Sequence, residues 1–145
     1  MSSSGNMSSS EKKPRIRVVA AVIERDGLYL ITQRRPEAVM PLLWEFPGGR
    51  VEDGETDAVA LARELAEEMA IAVHVGDELL SVVKEYENYT IDFHVYLCEL
   101  LSEEIQTIKV HAYQWISSDD MEDYPFPAAD QETVEALLAE DPDRG

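Results

Sequence analysis

The run Arg63-Glu64-Leu65-Ala66-Glu67-Glu68 packs three carboxylates and one guanidinium into six consecutive positions. On a helix, at about 100° per residue, Glu67 falls about 60° to one side of Glu64 and Glu68 about 40° to the other. All three carboxylates then share a narrow arc, and Asp57 and Ala60 fall on the same arc one to two turns earlier. Like charges spaced three and four residues apart destabilise a helix. Such a row asks for a cation, and hard oxygen donors on a rigid element suit a divalent ion. The plain alternative is a solvated acidic face in an acidic protein.

The flanking residues decide how that helix is held. Ala58, Leu61, Ala62, Leu65 and Met69 form an apolar stripe beside the acidic arc, able to seat the helix on a core. The helix is expected from Glu55 or Thr56 to about Met69. Before it, Gly48-Gly49 allows backbone conformations closed to other residues and close approach of a ligand or ion to the main chain, and Asp53-Gly54 adds a turn.

The rest of the chain alternates strand and turn signals. Val18–Ile23 and Leu28–Thr32 read as strands joined by a hairpin turn at Asp26-Gly27. Trp44-Glu45-Phe46 is a short extended piece. Val73–Val75 is expected as a brief strand, followed by a separate hairpin of Ser81–Glu87 and Thr90–Leu100 turning at Asn88. In its second arm Ile91, Phe93, Val95 and Leu97 alternate with Asp92, His94, Tyr96 and Cys98, giving one greasy and one mixed face. Tyr113–Ile116 is a further strand, Tyr124-Pro125-Phe126-Pro127 a rigid loop, and Ala128–Ala139 a second amphipathic helix. Strands mixed with two helices predict an α/β (α+β) architecture, a mixed sheet held between helices. Residues 1–14 are expected to form a flexible Ser-rich tail, 15–140 one domain, and 141–145 a flexible end.

With 145 residues and 45% hydrophobic content, the chain suits one soluble globular domain. Thirty acidic against 12 basic residues give a formal charge of −18. That surface repels nucleic-acid backbones, so no polymeric nucleic-acid partner is expected. It repels a small polyphosphate too, unless metal ions and local arginines reverse the field. Cys98 is the only cysteine, which excludes an intrachain disulfide. No apolar run of spanning length and no signal-peptide pattern is seen, so a cytoplasmic protein without a membrane partner is expected. A monomer and a homodimer both remain open.

Read from Gly49, the pattern is Gly49, five residues, Glu55, seven residues, Arg63-Glu64-Leu65, one residue, Glu67-Glu68, one residue, Ala70-Ile71. It resembles the Nudix box at every fixed position but one, since the family has glycine where this chain has Ala70. Trp44-Glu45-Phe46-Pro47-Gly48-Gly49 and Tyr124-Pro125-Phe126-Pro127-Ala128-Ala129-Asp130 extend the likeness to the MutT-type branch over residues 15–140.

The resemblance implies a Nudix-type α/β/α sandwich and water attack on a diphosphate linkage, with Mg²⁺ or Mn²⁺ as cofactor. It implies that Glu67 and Glu68 are metal ligands and that Glu64 is a ligand or the base for water. A Gly48 or Gly49 carbonyl would complete the shell. Arg63 joins the catalytic set as an orienting group, paired with Glu52 or Glu55. Toward the substrate it implies a phosphate contact at Arg34, where the alternative is a surface Arg at a strand end. Phe46 or Trp44 would offer a ring for a base to stack on, where the alternative is core packing. Asp130 would read a base edge, where the alternative is a helix cap; His94 and Tyr96 stay outside the catalytic set.

Related enzymes often carry Glu six residues before the late Trp, and here that position, counted back from Trp115, is Lys109. Glu103 or Glu104 would substitute, or Glu64 would act alone as base, or the site would hold fewer metals. The expected reaction is hydrolysis of a (deoxy)nucleoside triphosphate, oxidised dGTP or CTP/dCTP-like, to the monophosphate and pyrophosphate. The alternatives are a nucleotide sugar or dinucleoside polyphosphate substrate, or a ligand-sensing module without turnover.

Overall fold

The acidic helix does form, and it ends in the one conformation its sequence resists. In the computed structural model, which describes residues 13–38 and 40–127 together with positions 130, 134 and 137, helix α1 spans Asp57–Met69. Thr56 caps it, its side chain accepting from the Val59 N–H, while Asp57 sits in the first turn where the helix dipole favours an anion. At the other end Ala70 is left-handed, φ 57° and ψ 38°, and donates its N–H to the Ala66 carbonyl. Glycine reaches that conformation without Cβ strain, so Ala70 costs on the order of 1 kcal/mol.

The seat of α1 is turned from the expected stripe. Ala60, Leu61, Leu65 and Met69 are buried, whereas Ala58 is exposed. Ala60, placed on the acidic arc by the helical spacing, is part of the core. The helix is rolled so that its acidic side is partly tucked toward the sheet, which leaves Glu64 and Glu68 half-buried.

Strands β1 (Arg15–Arg25) and β2 (Leu28–Gln33) form the expected hairpin. Both turn residues, Asp26 at φ 56° and Gly27 at φ 81°, lie in the left-handed region that tight hairpin turns demand. Then follow β3 (Trp44–Glu45), β4 (Gly48–Arg50), β5 (Val73–Glu85), β6 (Thr90–Leu100) and β7 (Ala112–Ile116). The described strands run in the order β3-β2-β1-β6-β5, with β4 on β1 and β7 on β2. β1 pairs parallel with β6, and the other ladders are antiparallel, so the sheet is mixed as expected.

One strand was expected as two. Val73–Val75 and the first hairpin arm are parts of the single strand β5, which pairs with β6 from Val73↔Leu100 to Glu85↔Thr90. Register shifts between Val75 and Leu80 let one continuous strand bend through Gly76, where the periodicity breaks. The turn closes with the Tyr86 N–H donating to the Tyr89 carbonyl.

Both sheet faces are covered. Val19, Ala21, Ile23 and Cys98 pack under α1, while Ala20, Val22, Phe93 and Val95 pack with Val134 and Leu137. Asp130, Val134 and Leu137 are helical and buried, giving the helix–sheet–helix layering. The remainder of the expected Ala128–Ala139 helix, the tail before Lys13 and the 141–145 end lie outside the described residues.

Asp57 serves the fold. It takes two hydrogen bonds of 2.7 Å from Arg17 and one from the Tyr96 hydroxyl, pinning the start of α1 to β1 and β6. His94 lies between Glu78 (2.7 Å) and Asp92 (2.9 Å) on the same face.

Replacing Ala70 by Gly removes the left-handed strain, offset in part by the greater freedom of glycine in the unfolded chain. The expected gain is about 0.5–1 kcal/mol, or a few degrees in Tm. Thermal and urea denaturation of Ala70→Gly measure it, and a loss of stability would show that the C-terminal cap is held some other way.

Candidate active site

Arg63 is the hub of the acidic arc. Its guanidinium donates to both Glu55 oxygens at 2.7 and 3.0 Å and to the Arg50 carbonyl at 3.0 Å, and reaches Glu64 at 3.3 Å and Glu67 at 3.4 Å. Glu55 also accepts from the Glu52 N–H at 2.9 Å. The Arg63 hydrogen bond, followed by that from Glu52, holds the Glu55 carboxyl below its ordinary value. Of the two expected loop partners, Glu55 therefore makes the close pair, while Glu52 is 3.9 Å away.

Gly48 and Gly49 are glycines for lack of room. Both lie in β4, paired with Ala20 and Val19, and neither is in the left-handed region. A Cβ on Gly48 would run into the Val19 carbonyl, and one on Gly49 into the Glu64 carboxyl. The expectation of unusual backbone angles is thus corrected, while that of close approach holds. β4 is squeezed against β1 on one side, and Glu64 lies over it from α1.

Glu64 and Glu68 face each other closely enough to hydrogen-bond. Burial, then the charges of Glu64 and Glu45, push the Glu68 carboxyl up to about 9. Two acids sharing one buried place ionise together only beside a positive charge. The donor set is hard oxygen throughout and suits a divalent ion that keeps part of its water shell and is completed by substrate phosphates. Among the described residues no three acidic, imidazole or thiol groups form a closed cage of their own. Glu67 stands at the exposed rim, turned toward Arg63.

A cleft of about 310 Å³ opens beside Glu68, and it gathers Arg34, Phe46, Gly48, Gly49, Glu68 and Asp130. Sequence reasoning missed Glu45 and Arg50, which line it too. Glu45 sits between Trp44 and Phe46 on β3, opposite Thr32 of β2, and pairs with Arg34 at 2.9 Å. Alternation along Trp44-Glu45-Phe46 was the available signal.

Phe46 is buried, lines the cleft and stacks on Phe126 with centroids 5.4 Å apart. Trp44 is edge-on to Tyr124 and does not line that cleft. The Tyr124–Pro127 segment straps β3, the Trp44 N–H donating to the Pro125 carbonyl at 2.9 Å.

Asp130 is 5% exposed. Its backbone N–H meets the Pro127 carbonyl, and the Phe46 N–H is the hydrogen-bond partner of its carboxyl. Its Oδ1 is buried without any hydrogen-bond partner among the described residues. Burial and then the Glu45 charge raise the carboxyl well above its ordinary value, against the pull of Arg34 and Phe46. A neutral acid there offers both a donor and an acceptor to whatever enters the cleft.

Lys109 lies at a side cleft of about 180 Å³ that also touches Glu68, with Arg34 and Arg35. Glu103 and Glu104 are exposed on the preceding loop and line none of these clefts.

The comparisons with known proteins agree with this geometry. The family described as NUDIX domain matches residues 18–136. The CTP pyrophosphohydrolase of Escherichia coli (strain K12) is 38% identical over 124 residues, covering 86% of this chain and 92% of that protein. The 8-oxo-dGTP diphosphatase of Haemophilus influenzae is 34% identical over 128 residues, covering 86% and 93%. The solution structure of the E. coli ORF135 protein superposes with a TM-score of 0.75 at 36% identity, covering 89% of this chain and 92% of that one.

The buried Asp130 makes stability depend on pH in a stated direction. The folded chain keeps a proton that the unfolded chain releases above an ordinary Asp value near 3.8. The folded state thus binds more protons, and this group's contribution to stability falls as pH rises from there toward its raised folded value. Asp130→Asn removes that titration and keeps the shape. Urea denaturation between pH 4 and pH 8 is expected to show the variant gaining on the native protein as pH rises; a constant difference would mean that Asp130 is ionised in the fold.

Proposed function

The chain belongs to the Nudix family, and on that premise we propose that it is a pyrophosphohydrolase of MutT type, converting a nucleoside triphosphate to the monophosphate and pyrophosphate. The observation that carries this reading is the single cleft that gathers Glu68, itself within hydrogen-bonding reach of Glu64, with the Gly48-Gly49 edge, Arg34 and the buried Asp130. Oxidised dGTP and CTP or dCTP are the candidate substrates. The share of sequence held in common with the CTP pyrophosphohydrolase supports the cytidine nucleotides as the first to try.

A divalent ion, Mg²⁺ or Mn²⁺, held by Glu64, Glu67 and Glu68 with a Gly48 or Gly49 carbonyl, would neutralise phosphoryl charge and lower the pKa of attacking water. The chain's own residues do the rest. Arg63 holds Glu55, Glu64 and Glu67 in one array and so fixes where the negative charge lies. Arg34, steadied by Glu45, presents donors to a phosphate. Phe46 supplies an apolar wall against which a base can rest, and its free extent is limited by the stack on Phe126. Asp130 addresses the base edge, where an oxygen can accept from the N4 amino group of cytosine. Glu64 is the candidate base for water.

The net charge of −18 supports a small-molecule substrate over polymeric nucleic acid. Among the described residues no helix is long and apolar enough to cross a membrane. A cytoplasmic site of action and a monomer or homodimer complete the proposal. The presence of Glu64, Glu67 and Glu68 together favours turnover over a sensing module.

A product-resolved screen of nucleotides, oxidised nucleotides and nucleotide sugars with Mg²⁺ or Mn²⁺ tests the reading. Pyrophosphate and a monophosphate are expected from a triphosphate, with EDTA stopping the reaction. Glu68→Gln is expected to lower kcat by about 100-fold or more, the scale of losing one stabiliser of transition-state charge. Wild-type turnover in that variant would remove the metal-site assignment. Asp130→Ala is expected to reorder preference among nucleotides more than it changes the metal requirement, and a uniform loss would assign Asp130 to folding.

A further inference from the structure

The cleft has a second end, and the charge on it is unexplained by the fold. The main cleft, with Asp130, and the side cleft, with Lys109, share Arg34, Glu45 and Glu68. Asp130 and Lys109 therefore lie at opposite ends of one groove, with Glu68, Glu45 and Arg34 between them. Arg35, next to Arg34, lines the Lys109 end only.

Lys109 is held in place by its backbone. Its N–H and that of Ile108 donate to the Glu68 carbonyl at 3.0 and 3.1 Å, closing the end of α1. Two residues on, the His111 N–H donates to the Gln33 carbonyl at 2.9 Å, and Val110 between them is buried. The segment is thus tied to both α1 and β2, and the ammonium is carried on a fixed base.

Among the described residues its ammonium is in no ion pair. Lys13, Arg17, Arg34, Arg35 and Arg63 each reach a carboxylate within 4 Å, while Lys109, like Arg25 and Arg50, reaches none among the described residues. Lys109 is exposed and lines the side cleft together with Arg34, Arg35, Glu45 and Glu68, which places its charge at the groove. A lysine ammonium, a compact charge with three donors, suits a phosphate that changes position and charge during a reaction.

We propose that Lys109, together with Arg35, forms the subsite for the phosphates farthest from the base, so that a nucleoside triphosphate lies with its base at Asp130 and its pyrophosphate end at Lys109. This rests on the reading of the groove as a nucleotide site. It gives Lys109 a positive role in binding the departing pyrophosphate, in place of the acidic group that related enzymes carry there. It also gives the chain a means to prefer triphosphates over monophosphates that needs no further metal ion.

The test compares binding of inorganic pyrophosphate and of CMP, each with Mg²⁺, by calorimetry on the native protein and on Lys109→Ala, Lys109→Gln and Lys109→Arg. The backbone tethers survive all three changes, and thermal denaturation verifies folding. Pyrophosphate affinity is expected to fall roughly tenfold in the Ala and Gln variants, the scale of one charge-assisted contact. CMP affinity should stay within twofold, and Arg should restore most of the loss. KM for CTP should rise in parallel with the pyrophosphate effect. Equal loss for both ligands, or pyrophosphate binding indifferent to residue 109, would overturn the subsite. If the native protein releases pyrophosphate from no triphosphate yet binds it in a Lys109-dependent way, the hydrolase reading falls and the phosphate subsite stands. Turnover with no Lys109 dependence sinks the subsite alone.

Discussion

Arg63 stands among Glu55, Glu64, Glu67 and the Arg50 carbonyl, and the geometry of the site follows from that contact. Without it, carboxylates three and four residues apart on α1 would repel one another and the preceding loop would have no anchor. One guanidinium serves because it is planar and carries five donors in a fixed fork, which a lysine lacks. The bond to Glu55 turns the loop after β4 back onto the helix, and the bond to Arg50 fixes the end of β4 itself. Arg63 thus couples helix, loop and sheet at the place where negative charge is concentrated. Most of these contacts are partly solvated, so their value lies more in geometry than in stability.

A second constraint is distance. Helix α1 can bring Glu64 over β4 only because Gly49 has no side chain, and β4 can lie against β1 only because Gly48 has none. The buried residues Leu61, Leu65 and Met69 hold the helix at that separation, each worth about 1.5–3 kcal/mol of apolar burial. Core packing therefore works against charge repulsion here. The price appears in Glu68, whose carboxyl is driven to about 9 by burial and its acidic neighbours. A fold that stabilises such crowding is prepared for a cation, since the cation relieves a cost already built in.

Much of this arrangement was legible in the residues. The spacing from Gly49 to Ile71 encodes a helix whose periodicity and charges can be read without coordinates, and the mixed sheet follows from strand-length runs separated by turn residues. Ala70 stood out only against the glycine of the resembling family, and its left-handed φ of 57° supplies the physical reason for that glycine. The continuity of β5 was hidden, since Gly76-Asp77-Glu78 reads as a break until pairing with β6 supplies partners for a bent strand. The roll of α1 was hidden too. Its apolar stripe and its acidic arc adjoin, and only packing decides how far the arc is turned inward. Asp57 shows the limit most clearly. It shares the arc of the glutamates, yet Arg17 and Tyr96, distant in sequence, draw it into holding the helix to the sheet.

The same chain that carries a charge of −18 must admit a polyanion, and the groove shows how the conflict is met locally. Arg35 and Lys109 lie at one end, Arg34 in the middle, and Arg50 beside the glycine edge. At the other end burial and the Glu45 charge push the Asp130 carboxyl well above its ordinary value, which lessens its repulsion of an anion. Fields in a confined, poorly hydrated cleft are set by the nearest few charges, while salt screens distant surface groups beyond about 8–10 Å. A few positive charges placed at the groove thus offset, locally, the field of an otherwise negative body.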